Sequence, residues 1–569
     1  MLQQKTVSIS FVLFFLCVMV SSCNNKAAKP DDKKIVSSPE SIDKQVSESI
    51  RQLLAYAIDQ NGKIDDSTQL KLTLLVNKFY KEGDYKNVWS QKEKWHPFVD
   101  SVLNFIKDAE LYGLFPANYE SNKLSDIKLL LEKDSVKRMD AVLWSKADLV
   151  FTDVLQKLLK DLKYGRLLND SNIIASDTTI AANRLVNFQQ SLFKQASFSV
   201  FLDGIQPSQK GYWDLKKEIK KFVDSMDRKT YSYVVYPYKK NDAKDSLFFI
   251  KSLQKRLNES DCIELNKTLP DSMQLNTAIK KYQKQMGIKQ DGTISKSLLK
   301  LLNSSDAEKY NRIVVTLDRY KLLPEKMPEK YIWVNLPGYY LELWDHDTLA
   351  LESKIICGKP ETRTPLLTSE ISNMITYPTW TVPTSIIAKQ YLPKLKSNSN
   401  YLESIGLKLM NEKGEVINPG SINWDKYSKG IPYKVMQRSG DNNALGVIKF
   451  NFENPYAVYL HDTNQRYLFK NASRAYSHGC VRVQEWKKLA MYIAKNDSIN
   501  LMQGDSLRYT TDSINNWLDR KQHKWISVKN KIPLFITYIG CEVKEGKIKF
   551  YEDIYGEDKA LREKYFLDK

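Results

Sequence analysis

Cysteine, long apolar runs and clustered basic residues are all scarce in this chain of 569 residues. It contains 6 cysteines, and such thin usage in a large protein argues against a framework of disulfides. The sequence has no CxxC pair and no HExxH helix, so we predict no metal site. Stability must therefore come from packing, for which a hydrophobic content of 42% is ample.

The charge of the chain is basic but scattered. There are 86 Lys+Arg against 67 Asp+Glu, a formal net charge of +19. No basic run is interleaved with stacking aromatics, so we do not expect nucleic-acid binding. Two interpretations of the excess remain: a solvated lysine-rich surface, or attraction to an anionic wall polymer or lipid headgroup.

The first residues predict the compartment. Lys5 precedes an apolar run at 9–20, too short to span a bilayer comfortably, so residues 1–22 are predicted to be a signal peptide. The run ends in VSSC, which resembles a lipobox whose cysteine, Cys23, is diacylated and becomes the mature N-terminus. The alternative is an ordinary signal peptide with an incidental cysteine. Lipid at Cys23 would anchor a periplasm-facing lipoprotein to the inner or outer membrane of the cell envelope.

Patterning divides the rest of the chain into five segments. Residues 23–41 lack periodicity and are predicted to be a flexible tether. Residues 42–235 repeat apolar positions at i, i+3, i+4 and i+7, which predicts an α-helical scaffold. Residues 236–310 predict three short helices, and 311–545 predict a β-rich domain because the apolar period changes to two. Residues 546–569 are assigned to a C-terminal extension, which makes the fold class multidomain α+β.

The small helical segment carries a resemblance of its own. Its stretch AIKKYQKQMGIKQDGTISKSLLKLL resembles the three-helix peptidoglycan-binding module in its glutamine, its Asp-Gly turn and its trailing leucines. The alternative is a helical bundle that binds nothing.

An insertion interrupts the β-rich domain. The strand pattern YIWVN and YLELWD turns at Pro337-Gly338 as a hairpin does, but residues 388–438 have mixed helical and loop character. An insertion of this length inside a compact domain is usually a lid or a binding loop.

One constellation carries chemistry. In YAVYLHD, Tyr459 and His461 share one face of a strand. SHGCVRV follows, and an amphipathic helical pattern comes after it, so we predict that Cys480 precedes a helix N-terminus. That position and a nearby imidazole are expected to lower the thiol pKa from about 8.5.

Gly479 permits close approach of the backbone, and the amides of Gly479 and Cys480 are expected to form an oxyanion hole. The blander interpretation, a buried apolar cysteine, suits the three others beyond residue 23: Cys262, Cys357 and Cys541.

The spacing of these residues is similar to a known signature. His461, fifteen intervening residues and then SHGC at 477–480 resemble the YkuD-type L,D-transpeptidase catalytic domain. NALGVIKFNF, ICGKPETRTP and DIYGED resemble its larger, lid-bearing envelope members, over about 311–558. The resemblance implies that Cys480 is the nucleophile, that His461 is the general base and that His478 has an orienting or oxyanion-side role. The chain departs from the common pattern at two positions, Asp462 for glycine and Arg482 for asparagine.

The resemblance also implies a reaction. Cys480 would form a thioester with a tetrapeptide stem of peptidoglycan, release D-alanine and pass the acyl group to a diaminopimelate amine in a three-to-three cross-link, without a cofactor. The predicted substrate contacts are Ser477, Tyr459, Trp380 and Arg482. Arg482 either holds a substrate carboxylate or braces a loop, and Trp380 either lines the donor cleft or belongs to the core.

Partners and alternatives follow from the same resemblance. Expected partners are peptidoglycan peptides and glycan, the membrane through the lipid, and cell-wall synthesis proteins. Water as acceptor would make the protein an L,D-carboxypeptidase, and the amine of an envelope lipoprotein would make it an anchoring enzyme. The alternative from another class is a non-catalytic lipoprotein that tethers peptidoglycan.

Overall fold

The computed structural model describes residues 29–167, 178–195, 197–235, 243–265, 268–499 and 509–566. The predicted signal peptide and Cys23 lie outside these residues. The described chain forms two compact units. The first comprises 29–107, 116–160 and 178–201, and the second comprises 108–115, 161–167 and the described residues from 202 onwards.

Helices dominate the N-terminal part of the chain. They are α1 Pro39–Asp59, α2 Thr73–Glu82, α3 Phe98–Lys107, α4 Ser121–Lys133, α5 Ser135–Arg138, α6 Ala141–Lys163, α7 Thr178–Leu192 and α8 Phe198–Ile205, with a small hairpin of β1 Ser90–Gln91 and β2 Lys94–Trp95. Helix α1 begins inside the segment predicted to be a tether, because proline suits the first turn of a helix. Among the described helices, none is long and apolar enough to cross a membrane.

A buried carboxylate organises the first unit. Asp148 accepts hydrogen bonds from the Tyr80 hydroxyl at 2.5 Å and from the backbone N–H groups of Val88 and Trp89 at 3.1 and 2.9 Å. Burial raises its pKa to about 6. Such a group is stable inside a protein only when its oxygens are fully hydrogen-bonded, as they are here.

Five more helices follow along the chain, before the remaining strands: α9 Lys210–Ser225, α10 Ala243–Asn258, α11 Ser272–Gln285, α12 Lys296–Leu302 and α13 Asp306–Tyr320. Helix α9 falls within the segment 42–235 that we predicted to be the scaffold, and it belongs to the second compact unit. The reason is its apolar face, where Tyr212, Leu215 and Ile219 are buried in one cluster with residues of α13.

In the three-helix segment, the residues that resemble a peptidoglycan-binding module hydrogen-bond to one another. Gln283 is buried, donates to Asp291 at 2.7 Å and accepts from the N–H of Gly292 at 2.9 Å. A side chain at Gly292 would meet Asn276 at 2.2 Å, so the turn requires glycine. The glutamine and the Asp-Gly pair therefore hold the turn, while polymer binding by this module stays a prediction.

The remaining elements are mostly strands. They are β3 Lys330–Asn335, β4 Tyr340–Asp345, β5 Thr348–Gly358, β6 Leu367–Thr376, β7 Trp380–Thr381, β8 Leu407–Met410, β9 Val416–Ile417, β10 Lys434–Gln437, β11 Ile448–Phe452, β12 Leu460–His461, β13 Ala475–Ser477, β14 Val481–Val483, β15 Lys524–Thr537, β16 Cys541–Lys544 and β17 Lys547–Phe550. The helices among them are α14 Thr384–Ile386, α15 Leu392–Ser397, α16 Tyr401–Ser404, α17 Trp486–Ile499, α18 Thr511–Asp519 and α19 Glu557–Tyr565.

Nine of these strands form one sheet, in the order β13-β5-β14-β12-β11-β6-β15-β3-β4. Strand β4 also pairs with β5, so eight strands close into a ring with β13 alongside. Alternate residues of the strands are buried in one apolar cluster, to which α17 contributes Leu489 and Ile493. Closure leaves few exposed strand edges. The helical units and this β-rich ring confirm the predicted multidomain α+β class.

The insertion is a folded subdomain, which we call the lid, and it spans 380–437. Its four strands pair in the order β7-β10-β8-β9. Its own apolar cluster includes Leu395, Leu402, Trp424 and Val435. We predicted mixed helix and loop over 388–438. The first lid strand, β7, lies before this range. It has only two residues, so it shows no periodicity in the sequence.

The C-terminal residues are integrated into the second unit. The Arg319 guanidinium of α13 forms a buried ion pair with Asp558 of α19 and also donates to the Tyr538 carbonyl. Tyr555 donates to the Gly358 carbonyl at 2.8 Å. The segment predicted to be an extension therefore contacts both the helices and the strands of this unit.

Replacement of Arg319 by methionine is expected to destabilise the second unit by about 3–5 kcal/mol, because it leaves the Asp558 carboxylate buried without its partner. Lys531 pairs with Glu370 at the exposed surface, and Lys531→Met should cost less than about 1 kcal/mol. Guanidinium unfolding of both variants measures the difference. Equal losses of stability in the two variants would show that the buried ion pair contributes no more than the exposed one.

Candidate active site

A parallel pair of short strands brings the segments of the predicted nucleophile and base next to each other. Leu460 and His461 of β12 align with Val481 and Arg482 of β14, and the N–H of Val481 donates to the Tyr459 carbonyl at 3.1 Å. Leu460 and Val481 are buried in the apolar cluster. The two-residue period of a strand then puts Tyr459, His461, Cys480 and Arg482 together on the opposite face.

The environment of Cys480 differs from the one predicted. Strand β14 separates Cys480 from α17, which begins only at Trp486, so no helix N-terminus adjoins the sulfur. Burial raises the pKa of the partly buried thiol above its usual value, although Tyr459, Lys449 and Arg482 act in the opposite direction. The predicted lowering of the thiol pKa is therefore wrong. Strand β14 has only three residues, too few for a periodic pattern in the sequence to reveal it.

His461 is an uncharged imidazole at neutral pH. Its side chain is only 4% exposed, and burial, assisted by the positive charges of Arg482 and Lys449, lowers its pKa to about 3. Its Nδ1 makes no hydrogen bond among the described residues. The ring meets that of Tyr459 edge-on, with 5.6 Å between centroids. A neutral imidazole beside a protonated thiol is the state in which histidine is able to accept a proton.

The turn that carries the nucleophile is held from within. The N–H of Gly479 donates to Ser477 Oγ at 3.1 Å, and Ser477 Oγ donates to the Cys480 carbonyl at 2.5 Å. Gly479 has φ +121, which only glycine adopts readily. Its N–H is thus already bonded, and the predicted oxyanion hole reduces to the N–H of Cys480, for which no acceptor exists among the described residues. The hydroxyl of Ser477, predicted to bind substrate, is used inside the turn.

A second layer of hydrogen bonds supports this turn, and sequence reasoning missed it. Thr364 Oγ1 donates to the Gly479 carbonyl at 2.7 Å and accepts from the N–H of Gly358 at 2.9 Å. The N–H of Thr364 donates to the Tyr555 hydroxyl at 3.2 Å. A side chain at Gly358 would lie 2.1 Å from the carbonyl of Thr362. The only signal in the sequence was the resemblance of ICGKPETRTP and DIYGED, which carry Thr364 and Tyr555.

The lid reaches the turn at two places. The exposed His478 pairs through Nε2 with the amide of Gln390 in the lid, and burial lowers the pKa of His478. Trp380, in the first lid strand, packs against the lid cluster, and its side chain and the sulfur of Cys480 both influence the pKa of the Tyr459 hydroxyl. Burial raises the pKa of Tyr459. Tyr459 therefore links the lid to the sulfur.

Arg482 stands on the same face as the sulfur, in the row of His461. Its Nη1 donates to the side chain of Gln465 at 3.0 Å, while its Nε has no hydrogen-bond partner among the described residues. Burial lowers its pKa. The hydrogen bond to Gln465 agrees with a role of Arg482 in bracing a loop. The unpartnered Nε agrees with a role as donor to a substrate carboxylate, so both interpretations remain.

The departure at Asp462 has a structural explanation. This side chain is fully buried, accepts from the N–H of Val447 at 3.0 Å and forms an ion pair with Arg466 at 2.5 Å. Gly446 leaves the space for it, since a side chain there would lie 2.2 Å from the carboxylate. Asp462 thus fixes the chain directly after His461.

One further residue near the sulfur was not predicted. Lys449 is the register partner of His461 on the neighbouring strand β11, and its ammonium lies 3.9 Å from the centroid of the Tyr459 ring. The sequence shows Lys449 only as the polar position between the buried Ile448 and Phe450 of a regularly alternating strand.

Comparison with known proteins finds the family that the sequence resembles. Residues 329–501 match the family model of the L,D-transpeptidase catalytic domain, YkuD, and residues 75–219 match that of a scaffold domain. A Haemophilus influenzae protein named "Putative L,D-transpeptidase" is 32% identical over 258 residues, which are 45% of this chain and 50% of that protein. The chain thus spans about half the length of this curated relative.

Two solved structures are similar to parts of the chain. One is the catalytic domain of an E. faecium L,D-transpeptidase acylated by ertapenem, with 13% identity, 37% of this chain and 99% of that chain covered, and a TM-score of 0.17. The other is an L,D-transpeptidase from Mycobacterium smegmatis, with 11% identity, 37% and 58% coverage, and a TM-score of 0.18. These scores are too low to add to the family match. From that match, together with the curated relative, the chain contains a YkuD-type L,D-transpeptidase catalytic domain, preceded in sequence by a scaffold domain.

Proposed function

We propose that this protein is a peptidoglycan L,D-transpeptidase that uses Cys480 as its nucleophile. The observation that supports the proposal is the pairing of β12, which ends at His461, with β14, which directly follows Cys480. The substrate is a tetrapeptide stem, the leaving group is D-alanine, and the acceptor is a diaminopimelate amine, which gives a three-to-three cross-link.

The first half-reaction forms a thioester. His461 accepts the proton of the Cys480 thiol, and the sulfur attacks the carbonyl carbon of the L-configured centre. The N–H of Cys480 is placed to donate to the oxyanion, a contribution of about 3 kcal/mol in other acyl-transfer enzymes. The carbon–nitrogen bond then breaks, and the amine of D-alanine departs with the proton from His461.

The second half-reaction regenerates the enzyme. The acceptor amine loses a proton to His461 and attacks the thioester carbon, and the carbon–sulfur bond breaks. The sulfur leaves as a thiolate and recovers its proton from His461. Water would compete with the amine at this stage. The lid, with Trp380 beside Tyr459, is suited to exclude it.

The envelope assignment belongs to the same proposal. Lipid at Cys23 would attach the protein to the inner or outer membrane, facing the periplasm, with the following polar residues as a spacer. The three-helix module would bind peptidoglycan, and cell-wall synthesis proteins would be partners. These statements rest on the lipobox-like VSSC and on the resemblance of residues around Gln283 to a peptidoglycan-binding module.

Replacement of Cys480 by alanine is expected to abolish conversion of tetrapeptide muropeptides to cross-linked dimers, by about a thousandfold or more, because no other group can hold the acyl chain. Chromatography with mass detection measures the products. Cys262→Ala, at a buried cysteine of the three-helix module, is the matched control and should remain active. Monomeric tripeptide as the sole product would make the enzyme a carboxypeptidase, and no conversion by the parent protein would favour a tethering role.

Acylation by a carbapenem is expected at a single position. Members of this family form such adducts, as the ertapenem-acylated E. faecium domain illustrates. After incubation with ertapenem, the added mass should appear only in the peptide that contains Cys480, because the other described cysteines are buried. Peptide mapping by mass spectrometry decides. An unmodified Cys480 peptide contradicts the proposed nucleophile.

The reactivity of Cys480 should rise with pH. Burial raises the pKa of its thiol, so alkylation by iodoacetamide is expected to accelerate until the pH exceeds about 8.5, the value of a free cysteine. His461, whose pKa is lowered to about 3, stays neutral throughout this range and supplies no counter-charge. The unfolded protein in urea is the control and should give the ordinary profile. A fast plateau between about pH 5 and 7 would instead indicate a thiolate–imidazolium pair.

A further inference from the structure

Lys449 is the least expected side chain near the nucleophile. It is the only charged residue of β11, it faces away from the apolar interior, and it aligns with His461 across the ladder. Its ammonium covers the ring of Tyr459 at 3.9 Å from the centroid. Tyr459 in turn interacts with the sulfur of Cys480. Lys449 therefore belongs to the same cluster as the reacting groups.

No carboxylate compensates this cation. Among the described residues, Lys449 forms no ion pair and donates no hydrogen bond to an acidic side chain, and burial lowers its pKa. The one group whose negative charge raises that pKa is the sulfur of Cys480. A partly buried ammonium without a counter-ion is unfavourable. Its counter-charge arises only when Cys480 ionises.

The groups around the sulfur come from three strands and the lid. Strand β12 supplies Tyr459 and the neutral His461, β14 supplies Arg482, β11 supplies Lys449, and the lid supplies the uncharged Trp380. On the nucleophile turn, burial and the positive charges of Lys359 and Arg482 lower the pKa of His478. Two cations and no described carboxylate therefore act on the sulfur.

We propose that Lys449 is a positioning residue for acyl transfer, stabilising the Cys480 thiolate and disfavouring a charged His461. When the S–H bond breaks and the proton moves to His461, the sulfur retains the electron pair, and the charge of Lys449 offsets it. Repulsion between Lys449 and the resulting imidazolium then favours delivery of the proton to the leaving amine. This last step rests on the proposed function, whereas stabilisation of the thiolate does not.

A purely structural role for Lys449 has a different consequence. If the ammonium only packed on Tyr459 as a cation–π brace, its loss would change stability but would not move the pH at which Cys480 ionises. The pH profile of the thiol therefore separates the two roles. Because alkylation needs no peptidoglycan, the profile remains readable even if the chain makes no cross-links.

The test compares the parent protein with Lys449→Met, Lys449→Arg and the control Lys547→Met, an exposed residue of β17. Alkylation of Cys480 by iodoacetamide is followed across pH by peptide mass spectrometry on the full chain. Lys449→Met should move the profile to higher pH and slow alkylation at pH 7 by about three- to tenfold, since each pH unit corresponds to about tenfold in thiolate. Lys449→Arg, which keeps the charge, and Lys547→Met should stay within about twofold of the parent.

Two results would overturn the proposal. One is a Lys449→Met profile that superimposes on the parent profile while circular dichroism shows an intact fold. The other is a Lys449→Arg profile shifted as far as that of the methionine variant, which would show that charge is irrelevant. The arginine variant decides the question even if the methionine variant does not fold. If the parent protein makes no cross-links but Lys449→Met still shifts the alkylation profile, only the proposed function is rejected.

Discussion

The site depends on the parallel pairing of β12 with β14. Two adjacent parallel strands need a crossover between them, and here the crossover is the stretch from Asp462 to Cys480. Asp462 fixes its beginning by binding Val447 and Arg466, and Ser477 fixes its end. These anchors hold the two ends of the crossover that joins the His461 strand to the Cys480 turn.

Electrostatics and burial together define the resting state of this pair. A partly buried sulfur keeps its proton, and a buried imidazole between two cations stays neutral. The thiolate is the form that oxidants attack, so a protonated thiol is less exposed to irreversible damage.

Sequence reasoning located the chemistry because the spacing from His461 to the SHGC motif at 477–480 resembles a known signature. The three-residue strand that follows Cys480 was invisible, since it spans less than two periods, and this omission produced the wrong expectation about a helix N-terminus. The supports at Thr364 and Tyr555 are distant in sequence, and contacts over such separations leave no local pattern.

The lid and the C-terminal residues show the same limit. The two-residue strand at Trp380 gives no period to recognise, so the sequence does not reveal that it pairs with the lid strands. Lys449 occupies an ordinary polar position of an alternating strand, and its proximity to Tyr459 follows only from the fold. Helices with long apolar stripes, such as those around Leu54 and Leu159, were in contrast predictable from periodicity alone.

Closure of the strand ring has a consequence for incomplete chains. The match to the catalytic family ends at residue 501, yet β15 lies between β6 and β3 in the ring, and Tyr555 supports the turn of the nucleophile from still further along. A nascent polypeptide that has already emerged through its cysteine thus lacks a wall of its own barrel. Such a polypeptide carries His461 and Cys480, but the turn between them gains its support only once β15 and Tyr555 have been added.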